Sequence, residues 1–200
     1  MVQVVLVPGF RGSPHGHWQA IWAATRADCL MLRQASWDDP HPEAWTAALD
    51  RIVTASPLPV VLVAHSLGCA TVAHWAAGGG EGVAAALLVA PCDVERDGAN
   101  PAIRRFAPMP AAALPFRSTV VASRDDPYAS FARQRCFAHR WGSALVDVGA
   151  QGHINADSGL GGWRFGQVLL DDLCAAVADA RYARAARLRD AAPAGPCLSL

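Results

Sequence analysis

The sequence predicts an α/β domain built on a mostly parallel sheet, and three observations carry that expectation. Six short runs are almost uninterruptedly apolar, as strands covered on both faces are. Segments with helical spacing of apolar residues lie between them, so strand and helix alternate along the chain. The chain has 200 residues, 52% hydrophobic and 17% charged, with a mean hydropathy of +0.19. A chain of that size makes one domain able to bury roughly 70% of its unfolded surface, and most of it is too apolar for disorder.

The strands are expected at Gln3–Val7, Cys29–Leu32, Val60–Ala64, Ala85–Val89, Ser118–Ala122 and Ala144–Val148. Helices are expected at His17–Arg26, Glu43–Ala55, Leu67–Ala77 and Tyr128–Arg140, then a last one over Phe165–Arg189. Its buried stripe is read as Phe165, Val168, Leu169, Leu173, Ala176 and Val177. The connection Pro91–Pro115 holds five prolines and cannot be one continuous helix. It reads either as a lid or rim loop, or as a surface excursion with a short helix around Ala102–Phe106. Residues 1–190 are expected to form a single domain, with 191–200 a flexible tail.

Composition excludes several chemistries. All seventeen basic residues are arginine, so a Walker-type phosphate loop, a pyridoxal Schiff base and any lysine nucleophile are impossible. Formal charge is zero and the pI is about 7.0, which argues against a nucleic-acid partner. Six cysteines are scattered without a metal-like spacing, and no apolar stretch is long enough to span a bilayer. His15, His17 and His41 lack a fourth residue at ligand spacing, so neither metal nor cofactor is expected. A cytoplasmic location away from membranes is the expectation. Cys197-Leu198-Ser199-Leu200 lacks the aliphatic third position and basic neighbourhood of a prenylation site. The arginines at 181, 184, 187 and 189 suit a solvated helix end better than RNA.

The strongest local signal is the run Val60 to Ala64 passing straight through His65-Ser66-Leu67-Gly68 into an apolar helix. A strand, a sharp turn and a helix present a serine hydroxyl above a sheet, and small residues at Ala64 and Gly68 allow the crowding. An activated serine needs a base, and the base an orienting acid. Asp125-Asp126-Pro127 follows the fifth strand and Gly152-His153 the sixth, at the sheet edge where α/β proteins build their sites. Pro127 favours an extended Asp126, so the expected triad is Ser66, Asp126 and His153, with Asp125 bonding locally or facing solvent. The Leu67 amide and the Phe10 amide, in the glycine-containing loop after the first strand, are the expected oxyanion donors. Ser13, Trp37, Asp38 and Asp93 are candidates for the substrate pocket. Trp18, Trp22, Trp45 and Trp75 are read as core, His74 as core or surface, and His65 as packed or locally bonded away from Ser66.

With Pro8-Gly9, His17-Trp18-Gln19, Ala64 to Gly68, Ser123 to Pro127 and Gly152-His153-Ile154-Asn155, the chain resembles the small serine hydrolases of the retinoblastoma-binding protein 9 / YdeN family. The resemblance runs from Val2 to Leu173. It implies a minimal α/β-hydrolase without leading antiparallel strands or a large cap. That is a three-layer sandwich around a six-stranded parallel sheet in the order 2-1-3-4-5-6, with Ser66 at the topological switch. It also implies the roles of nucleophile for Ser66, acid for Asp126 and base for His153. A retinoblastoma-type partner is not implied, because Ala90 to Val94 lacks the leucine and glutamate of that binding motif. The expected activity is cleavage of a small ester, amide or thioester through an acyl-enzyme. The alternatives are an aminopeptidase-like amide hydrolase, using Asp38, Asp39 or Asp93 for a substrate ammonium, and a non-catalytic binding protein on the same scaffold.

Overall fold

The computed structural model describes residues 1–190; the expected tail at 191–200, including Cys197-Leu198-Ser199-Leu200, lies outside them. Strands β1 (Gln3–Val7), β2 (Cys29–Met31), β3 (Val60–His65), β4 (Val83–Val89), β5 (Arg117–Ala122) and β6 (Ala144–Asp147) form one sheet. Its order is β2-β1-β3-β4-β5-β6, and every neighbouring pair is parallel.

Helices α1 (Trp18–Thr25), α2 (Pro42–Thr54), α3 (Leu67–Ala77), α4 (Pro101–Arg104), α5 (Phe131–Trp141) and α6 (Arg164–Asp190) complete the chain. Local chemistry sets their ends. His17 caps α1 by accepting the Gln19 N–H at 3.1 Å, Pro42 stands at the start of α2, and Ser130 caps α5 by accepting the Arg133 N–H. Gly142 closes α5 in the left-handed conformation at φ 67°.

Strand periodicity divides the core into two layers. Val5, Val7, Leu62, Ala64, Ala86 and Leu88 point to one face, where α2, α3 and α5 supply Trp45, Leu49, Val72, Trp75, Phe137 and Trp141. Val4, Leu6, Val61, Val63, Leu87 and Val89 point to the other, against Trp18, Trp22, Leu170, Leu173 and Val177 of α1 and α6. Trp18, Trp22, Trp45 and Trp75 are all buried.

One expectation about the helices changes. The buried stripe of α6 is Gly166, Leu170, Leu173 and Val177, while Phe165 and Val168 are exposed. The helix is rotated because the Trp163 ring lies over Gly166, where an added Cβ would sit 2.1 Å from a ring carbon. The proline-rich connection holds the short α4, and it sinks Val94, Ile103, Phe106 and Met109 into the core. His74 donates from Nε2 to the Phe106 carbonyl at 2.7 Å, and Trp141 Nε1 donates to the Pro110 carbonyl at 2.9 Å. Among the described residues no helix is long and apolar enough to cross a membrane.

Candidate active site

The chain leaves β1 toward β2 on one side and β3 toward β4 on the other, which opens a crevice above the carboxyl ends of β1 and β3. Ser66 stands there between β3 and α3 with φ 54° and ψ −120°, a backbone conformation that costs on the order of 1–3 kcal/mol for a residue with a side chain. Its N–H is tied to the Val89 carbonyl at 3.0 Å. Two glycines make the turn sterically feasible. A Cβ on Gly68 would lie 2.2 Å from the Val7 carbonyl oxygen, and one on Gly9 would lie 2.8 Å from Ser66 Cβ. The Leu67 amide begins α3, and the Phe10 amide sits in the loop beside it. In that loop the Arg11 N–H donates to the Trp37 carbonyl and the Gly12 N–H to the Gly9 carbonyl, while neither the Phe10 nor the Leu67 N–H has an acceptor among the described residues.

Across the crevice, His153 Nδ1 faces both oxygens of Asp126 at 2.9 and 3.0 Å, and both side chains are buried. The carboxylate also accepts the Tyr128 N–H at 2.8 Å and the Gln134 amide at 3.2 Å, so each oxygen has a second donor. Asp125 turns elsewhere. It accepts the Ser123 hydroxyl and the Gly152 N–H, bonds that hold its carboxyl below the usual range. Ser123 Oγ accepts the Gln151 N–H in turn, which stitches the loop after β5 to the loop after β6.

The histidine loop is clamped from behind. His65 is packed, as one of its two expected states has it, and donates from Nε2 to the His153 carbonyl at 2.9 Å across 88 residues, while Trp18 donates from Nε1 to the Ile154 carbonyl at 2.8 Å. Ile154 is held at φ 49°, rare for a β-branched residue. His17, His65 and His153 stand in a row with successive ring centroids 4.8 Å apart. Burial lowers His65 well below its ordinary value and lowers His17 to about 4, with repulsion from His153 adding to both, so these two rings are neutral at pH 7.

A cavity of about 570 Å³ joins these parts. Phe10, Ser66, Leu67 and His153 all line it, with His17, Cys92, Arg96, Tyr128 and Asp157. Burial pushes the Cys92 thiol up to about 12. The four residues expected in the pocket do not line it. The Ser13 hydroxyl donates to Gln19, and Trp37 packs behind Gly12 and edge-on to Trp45. Asp38 pairs with Arg11 at 3.6 Å, and Asp93 with Arg133 at 3.3 Å. Gln19, which the sequence marks only within the His17-Trp18-Gln19 motif, and Gln134, which it does not flag, are fully buried and bonded to strand-end or loop carbonyls; a polar residue inside an otherwise apolar helix face is the signal of such a role. Among the described residues no group of three His, Cys, Asp or Glu side chains could hold a metal ion.

The family model described as serine hydrolase matches residues 4–172. The chain belongs to the serine hydrolase family. This hydrolase shares 34% identity with a YdeN-like hydrolase from Pectobacterium atrosepticum, over 88% of this chain and 92% of that one, with a TM-score of 0.80. The ydeN gene product of B. subtilis is 20% identical over 88% of this chain and 100% of its own, with a TM-score of 0.70. Est1E from Butyrivibrio proteoclasticus, solved with ferulic acid bound, is 12% identical over 87% and 90%, with a TM-score of 0.64. The latter two are likenesses of fold. Comparison with curated protein sequences returned no match. The protein is therefore a small α/β-hydrolase of the YdeN type, and a hydrolytic enzyme.

Proposed function

We propose that this hydrolase cleaves a small acyl ester, and related amides or thioesters, through an acyl-enzyme on Ser66. The observation that carries the reading is the buried His153–Asp126 pair, facing the same cavity as a serine held on a strained strand-to-helix turn. Asp126 accepts a hydrogen bond from Nδ1–H, which keeps the proton on that nitrogen and leaves Nε2 as the basic one. Ser66 Oγ attacks the carbonyl carbon as its proton passes to His153 Nε2, and the Leu67 and Phe10 amides receive the oxyanion. The carbon–leaving group bond then breaks, and the leaving group takes the proton from His153. Water attacks the acyl-enzyme, giving its proton to His153, and releases the acid as Ser66 Oγ regains a proton.

The aminopeptidase-like alternative lacks support from the three carboxylates considered for a substrate ammonium. Asp38 pairs with Arg11, Asp39 with Arg105 and Asp93 with Arg133. The test is intact-mass labelling with a fluorophosphonate, followed by p-nitrophenyl ester kinetics. Wild type should take one adduct that Ser66→Ala lacks, and Ser66→Ala or His153→Ala should lower kcat on the order of 10³–10⁶-fold. Activity within about tenfold of wild type in either variant would overturn the assignment. A folded wild type that takes no adduct would favour the binding-protein reading.

A further inference from the structure

The cavity has a cationic wall that the chemistry above does not use. Arg96 lies in the connection after β4 and lines the cavity, yet among the described residues no carboxylate stands within ion-pair distance of it. Of its acidic sequence neighbours, Asp93 and Glu95 are both drawn to Arg133, and the exposed Asp97 makes no ion pair among the described residues. Arg96 Nε is buried without any hydrogen-bond partner. The guanidinium carbon lies 5.8 Å from the centre of the Tyr128 ring, which in turn stands edge-on to His153 with ring centroids 4.5 Å apart. The charge is therefore within about 10 Å of the His153 ring. A guanidinium is always charged, is planar, and matches a carboxylate through two parallel N–H bonds. The other charged side chains lining the cavity are Arg11, whose partner is Asp38, and Asp157, which is exposed.

We propose that Arg96 is the specificity determinant of this cavity and receives a carboxylate carried by the substrate a few methylenes from the scissile bond. The inference rests on the hydrolytic reading above and names what the substrate bears away from the reacting carbonyl. Half-esters of short dicarboxylic acids place the anion on the acyl side; esters of hydroxy acids place it on the leaving group.

The experiment compares four esters on wild type, Arg96→Gln and Arg96→Lys: p-nitrophenyl hemiglutarate, p-nitrophenyl pentanoate, p-nitrophenyl 4-aminobutanoate and 4-pentanoyloxybenzoate. Wild type should favour one of the two anionic esters over the neutral pentanoate. Arg96→Gln should lower kcat/KM for that ester on the order of 10–100-fold more than it lowers it for the pentanoate, with Arg96→Lys in between. Which anionic ester responds tells the acyl side from the leaving-group side. A wild type without anion preference, a preference for the cationic ester, or an equal loss on neutral and anionic esters would overturn the proposal. Binding of monomethyl glutarate to Ser66→Ala, with and without Arg96→Gln, needs no turnover. A tenfold weaker affinity in the double variant supports the anion site even if no ester is hydrolysed, and equal affinities sink it. Fluorophosphonate labelling and Tm of Arg96→Gln separate a lost contact from a lost fold.

Discussion

Acid should act on this fold through two histidines that burial keeps neutral. An exposed histidine takes up a proton near pH 6.5, while His17 in the folded protein does so only at about 4. As pH falls between those values the unfolded chain binds a proton at this position and the folded chain does not. Stability present above pH 6.5 is therefore lost on the way down. Worked from the two values, the loss from His17 at pH 4.5 is about 2.5 kcal/mol, a large part of the ~5–15 kcal/mol typical of a domain. His65 is shifted in the same direction and adds to it. Lowered carboxylates such as Asp28 and Asp147 give up their contribution mainly below their ordinary value of 3.8, so the window belongs to histidine. His17→Asn removes the titrating ring and keeps an oxygen able to accept the Gln19 N–H at the head of α1. Urea unfolding of both proteins at about pH 7 and about pH 4.5 gives the double difference, and the variant should lose about 2.5 kcal/mol less than wild type. Equal losses in the two proteins would refute the argument.

Two further outcomes follow from packing and polar satisfaction. Gly68→Ala must move the carbonyls of Val7, the last residue of β1, and of Pro8 after it, 2.2 and 2.8 Å from the new methyl, and should cost at least ~1–3 kcal/mol in urea unfolding together with fluorophosphonate reactivity. A variant as stable and as reactive as wild type would show that the turn is not crowded. Gln134→Leu fills nearly the same volume but strips a donor from Asp126 and an acceptor from the Ser123 N–H. It should destabilise by ~1–3 kcal/mol, and unchanged urea midpoints would contradict that.

Much of the fold was legible because central parallel strands are apolar on both faces. Val60 to Ala64 can be little else, and the observed β3 adds only His65. The pairing of His153 with Asp126 rather than Asp125 was legible through Pro127, which restricts the backbone before it. The phase of α6 was not, because Gly166 carries no hydrophobic signal and is buried only through a tryptophan folding back over it. The cavity wall was not legible either. Asp38 and Asp93 looked available as isolated carboxylates, and only the fold brings Arg11 and Arg133 to them. Gln19 and Gln134 likewise act through bonds to carbonyls and carboxylates that no local pattern assembles.

The anchoring of the loop after β6 has an engineering consequence. His65 and Trp18 hold it by the carbonyl oxygens of residues 153 and 154, which every amino acid possesses, so the grip does not depend on the imidazole. Truncating His153 to alanine should leave a ring-shaped vacancy with Asp126 still facing it, since Tyr128 and Gln134 keep the carboxylate in place. On the proposed role of His153 as the base, such a vacancy is a receptor for free imidazole, and adding it to the truncated variant should restore part of the ester hydrolysis, making the activity switchable by a small diffusible base.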